Sequence, residues 1–357
     1  MAASAGATAS APGATPGVSG SAGQSAQAST PTAAGVGATS GAGASGGAAA
    51  SGGAAASGGA AGAAPSTGAE GGSAAPTGAA GTAGSAGGTA GVAAGPVGSA
   101  NGLPALTDYK AVGPFTPVQG MGPAGFVTFY PQELGQDGAK HPILSWGPGA
   151  AENAGSFSIM LKHLASHGFV VISYDATPQG QELITAIDWM IAENDRSGGE
   201  FYQKLDTTKI AAGGHSAGSL ATFVIGGDMR LVTTLHISGG TFEPHTDIEN
   251  LHAPALFVCG EPGGDGLLVG DVASPNCDID FMNATVPVFY GITKGASHMT
   301  PTDIGDAALR THQLGAMVGW LRWQLGGDDQ AKALFVGDTC SLCTDAAWST
   351  AKSKNLN

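Results

Sequence analysis

The residues Gly214-His215-Ser216-Ala217-Gly218 have the types and the spacing to present a nucleophile. They follow a short apolar run, Ile210-Ala211-Ala212, and precede small and apolar residues suited to a helix. A serine on such a strand-to-helix turn is held in a strained conformation that lifts its hydroxyl clear of the backbone. The glycines on either side let strand and helix approach more closely than side chains would allow. Ser216 is therefore the candidate nucleophile. Its hydroxyl attacks only when a base takes the proton, and that base needs a third group to orient it.

In chains with this turn the order is serine, then acid, then histidine. Of the histidines after Ser216 and before the last predicted helix, only His298 follows the last predicted strand of the parallel series, in Lys294-Gly295-Ala296-Ser297-His298-Met299. A loop at the carboxyl end of a sheet strand is where ligands meet an α/β sheet, so His298 is the expected base. The acid is expected on the loop after a strand at Ala255 to Cys259, which reads Gly260-Glu261-Pro262-Gly263-Gly264-Asp265-Gly266. Asp265 is the first choice there, with Glu261 and Asp271 as alternatives. The oxyanion is expected on the N–H of Ala217 and on that of Gly149 or Ala150; Pro148 has none to give. Trp146, His215, Phe242 and Met299 are expected to line the substrate cleft.

The pentapeptide alone carries little weight. Gly43-Ala44-Ser45-Gly46-Gly47 matches the same pattern in a glycine-rich tract with neither strand nor helix around it. His236, His245 and His252, with Asp247, have no standard zinc spacing and read as structural or surface residues, so no metal is expected. Cys340-Ser341-Leu342-Cys343 reads as a local disulfide. Its flanking Asp338 and Asp345 disfavour a reactive thiolate, and no strand-helix unit precedes it. A Cys259–Cys277 disulfide would close the loop that carries Asp265 and stabilise the fold by about 3 kcal/mol on chain-entropy grounds.

The elements that must position these residues occupy only part of the chain. Residues 1 to about 103 are almost wholly Ala, Gly, Ser, Thr and Pro, with Glu70 the only charge and no aromatic before Tyr109. So little apolar surface cannot offset chain entropy, and the segment reads as a disordered, uncharged tether. Residues 104–357 read as one domain. Tyr109 to Val118 and Phe126 to Tyr130 suit two antiparallel edge strands. His141 to Trp146, Phe169 to Tyr174, Ile210 onward, Leu231 to Ile237, Ala255 to Cys259 and Val286 to Tyr290 are strand candidates. Most are apolar throughout, the mark of parallel strands buried on both faces. Helices are expected from a Ser156 cap to His167, over Gln181 to Asn194, after Ser216, and over Asp303 to Leu325. The alternation predicts an α/β fold with a mostly parallel sheet and helices on both faces.

The net charge of −14 belongs almost entirely to this domain and argues against nucleic acid or an anionic membrane as partner. No apolar stretch is long enough for a membrane span. The first residues show neither a basic nor an apolar signal region. Four cysteines, all in the folded part, and the tether together point to an oxidising, extracellular setting, secreted or tethered at a cell surface.

Gly-His-Ser-Ala-Gly, the preceding Ser145-Trp146-Gly147-Pro148-Gly149, Leu164-Ala165-Ser166-His167-Gly168-Phe169-Val170-Val171-Ile172 and Gly295-Ala296-Ser297-His298 together resemble the secreted α/β-hydrolases of the cutinase, poly(ethylene terephthalate) hydrolase and dienelactone-hydrolase-like group. The resemblance spans roughly residues 125 to 326. It implies carboxylic-ester hydrolysis through an acyl-serine intermediate, with Ser216, Asp265 and His298 as triad. No cofactor is expected, and a monomer is expected to act on a small ester or a polyester surface. Two departures stand out. Ala150 replaces the aromatic of the first oxyanion loop in the polyester-degrading members. Their cleft tryptophan has no counterpart near Ile237 to Thr241, although Phe242 lies close by. The alternatives are a short-chain esterase or lipase, and a hydrolase-fold surface protein that binds without turning over.

Overall fold

Ile143 and Leu144 point to opposite faces of one strand, as do Val170 and Val171, and every one of these side chains is fully buried. Helices must therefore cover both faces. The computed structural model describes residues 101–263, 267–338 and 340–356. In chain order its regular elements are β1 (Pro117–Met121), β2 (Phe126–Pro131), β3 (His141–Gly147), α1 (Ser158–Ser166), β4 (Val170–Tyr174), α2 (Gln181–Asp195), β5 (Leu205–His215), α3 (Ala217–Val224) and β6 (Leu231–Ile237). They continue with β7 (Ala255–Gly260), α4 (Ser274–Asn283), β8 (Val288–Thr293), α5 (Ala307–Gly326), the single turns α6 (Asp329–Lys332) and α7 (Ser341–Thr344), and β9 (Trp348–Lys354).

The strands form one sheet in the order β1-β2-β4-β3-β5-β6-β7-β8-β9. From β4 across to β8 every pairing is parallel, and antiparallel partners close both edges. One face packs Leu144, Val171, Leu235, Leu256 and Phe289 against α1 and α5. The other packs Ile143, Val170, Ile172 and Ile210 against α2 and α3. Further along that second face, Phe257, Cys259 and Tyr290 pack with Phe223 of α3 and Phe281 of α4. The architecture is the α/β one expected.

Several boundaries differ from the expectation, each for a physical reason. The first strand starts at Pro117 rather than Tyr109, because Gly113, Pro114 and Pro117 interrupt any earlier ladder. The chain enters α1 through a 3-10 turn capped by Asn153, whose side chain accepts from Ser156 N; Ser156 returns a bond to Asn153 N. The carboxylate of Asp303 then accepts from Ser158 Oγ and Ile159 N at the start of α1 (2.7 and 3.0 Å). Residues 101 to 103 fell in the low-complexity tract by composition, yet Leu103 is buried and Asn101 Nδ2 donates to Asp206 Oδ2 (2.6 Å). The rest of the expected tether, like the second Gly-x-Ser-x-Gly at Ser45, lies outside the described residues. Helix α4 and strand β9 were not foreseen.

Candidate active site

Ser216 sits between β5 and α3 with φ +52° and ψ −116°. A non-glycine residue at positive φ costs about 1–3 kcal/mol and persists only where its surroundings impose it. Here the two glycines impose it by letting the backbones touch. A Cβ on Gly218 would lie 1.9 Å from the carbonyl oxygen of Gly147 at the end of β3. A Cβ on Gly214 would lie 2.2 Å from the carbonyl carbon of Gly218. Ser216 N is fixed to Ile237 O of the neighbouring β6 (3.0 Å). Ala217 is the first residue of α3, so its N–H has no acceptor inside the helix and points out of the helix start.

Ser216 and His298 line one cavity of about 380 Å³ above the carboxyl ends of the central strands. His298 lies on the loop after β8 and is nearly buried. Its Nδ1 is 3.0 Å from Oδ1 of Asp271, which is fully buried. Asp271 is itself held firmly. Its Oδ2 accepts from Gly260 N (2.7 Å) and its Oδ1 from Ala273 N (3.0 Å). Burial is the largest single influence on this carboxyl and pushes its pKa up. The His298 hydrogen bond, the Gly260 N–H, the charge on His298 and the Ser238 hydroxyl together outweigh it and leave the group below its ordinary value. The loop after β8 and the loop after β7 are also tied directly, His298 N to Gly270 O (2.9 Å) and Met299 N to Leu267 O (3.3 Å).

Asp265, the first choice for the acid, lies outside the described residues. The carboxylate against His298 is Asp271, the alternative further down the same loop. Asp271 is brought there because its N bonds back to Glu261 O (2.8 Å), while Glu261 N bonds to Ala296 O (3.0 Å), two residues before His298. The loop thus returns to the sheet at Asp271. The Cys259–Cys277 disulfide joins β7 to α4 across that loop, and Cys340 pairs with Cys343.

In the loop after β3, where the oxyanion donors were expected, Gly149 N donates to Glu152 Oε2 (2.8 Å) and Ala151 N to Thr177 Oγ1 (3.1 Å). Gly149 is therefore committed elsewhere, and Ala150, between them, lines the cavity. His215, Phe242 and Met299 line it as well. Trp146 does not. It is fully buried in the core against Phe157, because β3 is central and both its faces are covered.

This arrangement can take a proton from a serine hydroxyl and hold a developing oxyanion. The sequence profile that covers residues 87–347 is PETase, PET hydrolase-like. The chain belongs to the PET hydrolase-like family. It is thus an α/β-hydrolase of an ester-cleaving family. Among curated proteins, none matches its sequence.

This PET hydrolase-like chain also carries a site residue that sequence reasoning passed over. Glu152 lines the cavity, and its Oε2, besides accepting from Gly149 N, lies 2.9 Å from His215 Nδ1. Burial pushes the Glu152 carboxyl up. The hydrogen bond and charge of His215, the Gly149 N–H and the charge of His298 outweigh that and lower it overall. One signal could have found it: Glu152 is the only acidic residue between Asp137 and Asp175. The three histidines weighed as metal ligands have partners of their own. His236 is buried between Ser219 Oγ and Thr234 Oγ1, and its burial lowers its pKa to about 3. His245 meets Thr241 Oγ1 (3.0 Å), and His252 Nδ1 meets Gly226 O (2.7 Å). Among the described residues no cluster of three or more metal-binding side chains exists, and no helix is long and apolar enough to cross a membrane.

Proposed function

We propose that the protein hydrolyses carboxylic esters by a serine mechanism, with Ser216 as nucleophile, His298 as base and Asp271 as the group that orients His298. The observation that carries this reading is the His298 Nδ1–Asp271 Oδ1 contact of 3.0 Å in the same cavity as a serine at φ +52°. With Nδ1 held by the carboxylate, Nε2 is the nitrogen left to accept the Ser216 proton. Ser216 Oγ then attacks the ester carbonyl. The resulting oxyanion is held by the Ala217 N–H, at the positive end of α3, and by the Ala150 N–H. His298 returns the proton to the leaving alcohol, then activates the water that releases the acid and frees Ser216.

The substrate is proposed to be a neutral, apolar ester, polyester chains included. No lysine or arginine is among the described residues lining the cavity, and Glu152 is the one acid there. An anionic ester would find no partner and one repulsive charge. Phe242, Leu267 and Val272 stand exposed around the opening and offer apolar contact to a chain lying across it. Ala150 supplies none of the stacking that an aromatic would give in the oxyanion loop. The disulfides support an extracellular site of action.

The test is turnover of a p-nitrophenyl ester series and of a polyester film by wild type and Ser216→Ala. Wild type is expected to cleave both, and Ser216→Ala neither. Cleavage of short p-nitrophenyl esters with an untouched film would restrict the enzyme to small esters. Equal turnover by the two proteins would end the serine mechanism.

A further inference from the structure

His215 precedes the proposed nucleophile, is buried, and has an acceptor at each ring nitrogen. Nδ1 lies 2.9 Å from Glu152 Oε2, and Nε2 lies 2.8 Å from the backbone carbonyl oxygen of His298. A carbonyl oxygen and a carboxylate are both acceptors, so each contact requires a proton on the line between its atoms. The ring also meets those of Phe157 and His298, with ring centroids at 5.3 and 4.7 Å. The same Glu152 oxygen takes the N–H of Gly149, and a Cβ on Gly149 would lie 2.3 Å from that oxygen. One carboxylate therefore ties the oxyanion loop to the main chain of the base through a single imidazole.

We infer that Glu152 is a positioning residue for ester cleavage, fixing the His298 backbone through His215 and setting the oxyanion loop through Gly149. The inference rests on the serine-hydrolase reading above. Asp271 orients the His298 ring but leaves its main chain to other contacts, and the His215 Nε2 bond holds the carbonyl of that very residue. By engaging Gly149, Glu152 also leaves Ala150 as the loop residue that can donate to an oxyanion. Charge-assisted bonds such as these are stronger than neutral ones and fix direction as well as distance. A displacement of about 1 Å in a reacting group can cost about 10²-fold in rate.

The experiment compares wild type, Glu152→Gln, Glu152→Ala and Ser216→Ala on a soluble p-nitrophenyl ester. Active sites are counted by a fluorophosphonate probe and melting temperatures are recorded. Glu152→Ala is expected to lower kcat per titrated site by about 10²-fold while KM stays within about threefold. Glu152→Gln, which keeps the size and loses the charge, should fall between it and wild type. In a Ser216→Ala background, proton NMR should show a downfield imidazole N–H resonance of His215 that disappears on adding Glu152→Ala, while that of His298 remains. An active wild type with both Glu152 variants within twofold in kcat per site overturns the inference and leaves the hydrolase reading standing. So does a lower melting temperature with unchanged kcat per site, since that is support of the fold alone. Equal turnover by wild type and Ser216→Ala overturns the hydrolase reading, and this role with it.

Discussion

Two histidine–carboxylate pairs line the cavity of Ser216 or stand behind it, and they are built alike at one end only. In His298–Asp271 and in His215–Glu152 a carboxylate holds Nδ1 at 3.0 and 2.9 Å. They part at the other nitrogen. His215 Nε2 is capped by the His298 carbonyl, so that ring has no position left for a proton in transit. His298 lines the cavity with Ser216, and in the proposed mechanism its Nε2 takes the serine proton. The pairs also differ in how the carboxylate is anchored. Asp271 is wholly enclosed and takes two backbone N–H groups in addition to His298, whereas Glu152 lines the cavity and takes one besides His215. On the proposed mechanism, a histidine beside a carboxylate is a base or a brace according to what its second nitrogen meets.

The comparison breaks most visibly at Asp271. Asp271→Asn should lower kcat by about 10⁴-fold, because an amide cannot hold the His298 tautomer that a carboxylate holds. This loss should exceed that of Glu152→Gln by at least tenfold in the same steady-state assay. Equal losses from the two variants would mean that the pairs do not divide base from brace.

A smaller effect sharpens the difference in anchoring. The Cys259–Cys277 bridge encloses the loop that carries Asp271, with a sequence separation of 18, and no disulfide spans the Glu152 loop. Cys277→Ser should remove about 3 kcal/mol of stability on chain-entropy grounds. For a domain of this size that is a fall in melting temperature of about 6–12 °C. The Cys340–Cys343 bridge closes only a few residues, and its loss should cost less. Calorimetry on the two single variants checks the order.

The smallest expected effect is in pH dependence. Both carboxyls lie below their ordinary values in the folded protein. The unfolded chain therefore binds the proton more readily, and each group contributes stability that is complete above its unfolded pKa of about 4. That contribution is lost as the pH falls through the lower, folded value. Melting temperatures of wild type and of Asp271→Asn should converge as the pH drops from 6 to 3. Glu152→Gln should converge with wild type over the same window by a smaller amount, since fewer backbone donors hold that carboxylate.

Much of this protein is legible in the chain alone. Continuous apolar runs such as Val170-Val171-Ile172 foretold strands covered on both faces, and the glycines around Ser216 foretold a backbone contact. What could not be read lacks an apolar signal. Strand β9, Trp-Ser-Thr-Ala-Lys-Ser-Lys, has no alternation to betray it and exists because β8 offers an unpaired edge; its lysines suit an edge exposed to water. Helix α4 is polar along most of its length, and its buried residues Ser274, Cys277, Asp280 and Phe281 include only one large hydrophobe.

The family, the sheet and the presence of Ser216 and His298 at one cavity were legible in the chain, because each depends on local pattern and on chain order. Which groups meet across that cavity depends on the fold. Of the loop's described carboxylates it is Asp271 that meets His298, because the loop closes back on Glu261 and Gly260. Gly149 lost its N–H to Glu152, and Trp146 went into the core, because contacts across loops distant in sequence set which groups remain available. Hydrogen-bond partners of this kind are matters of a few ångströms between separate elements, and residue spacing along the chain does not encode them.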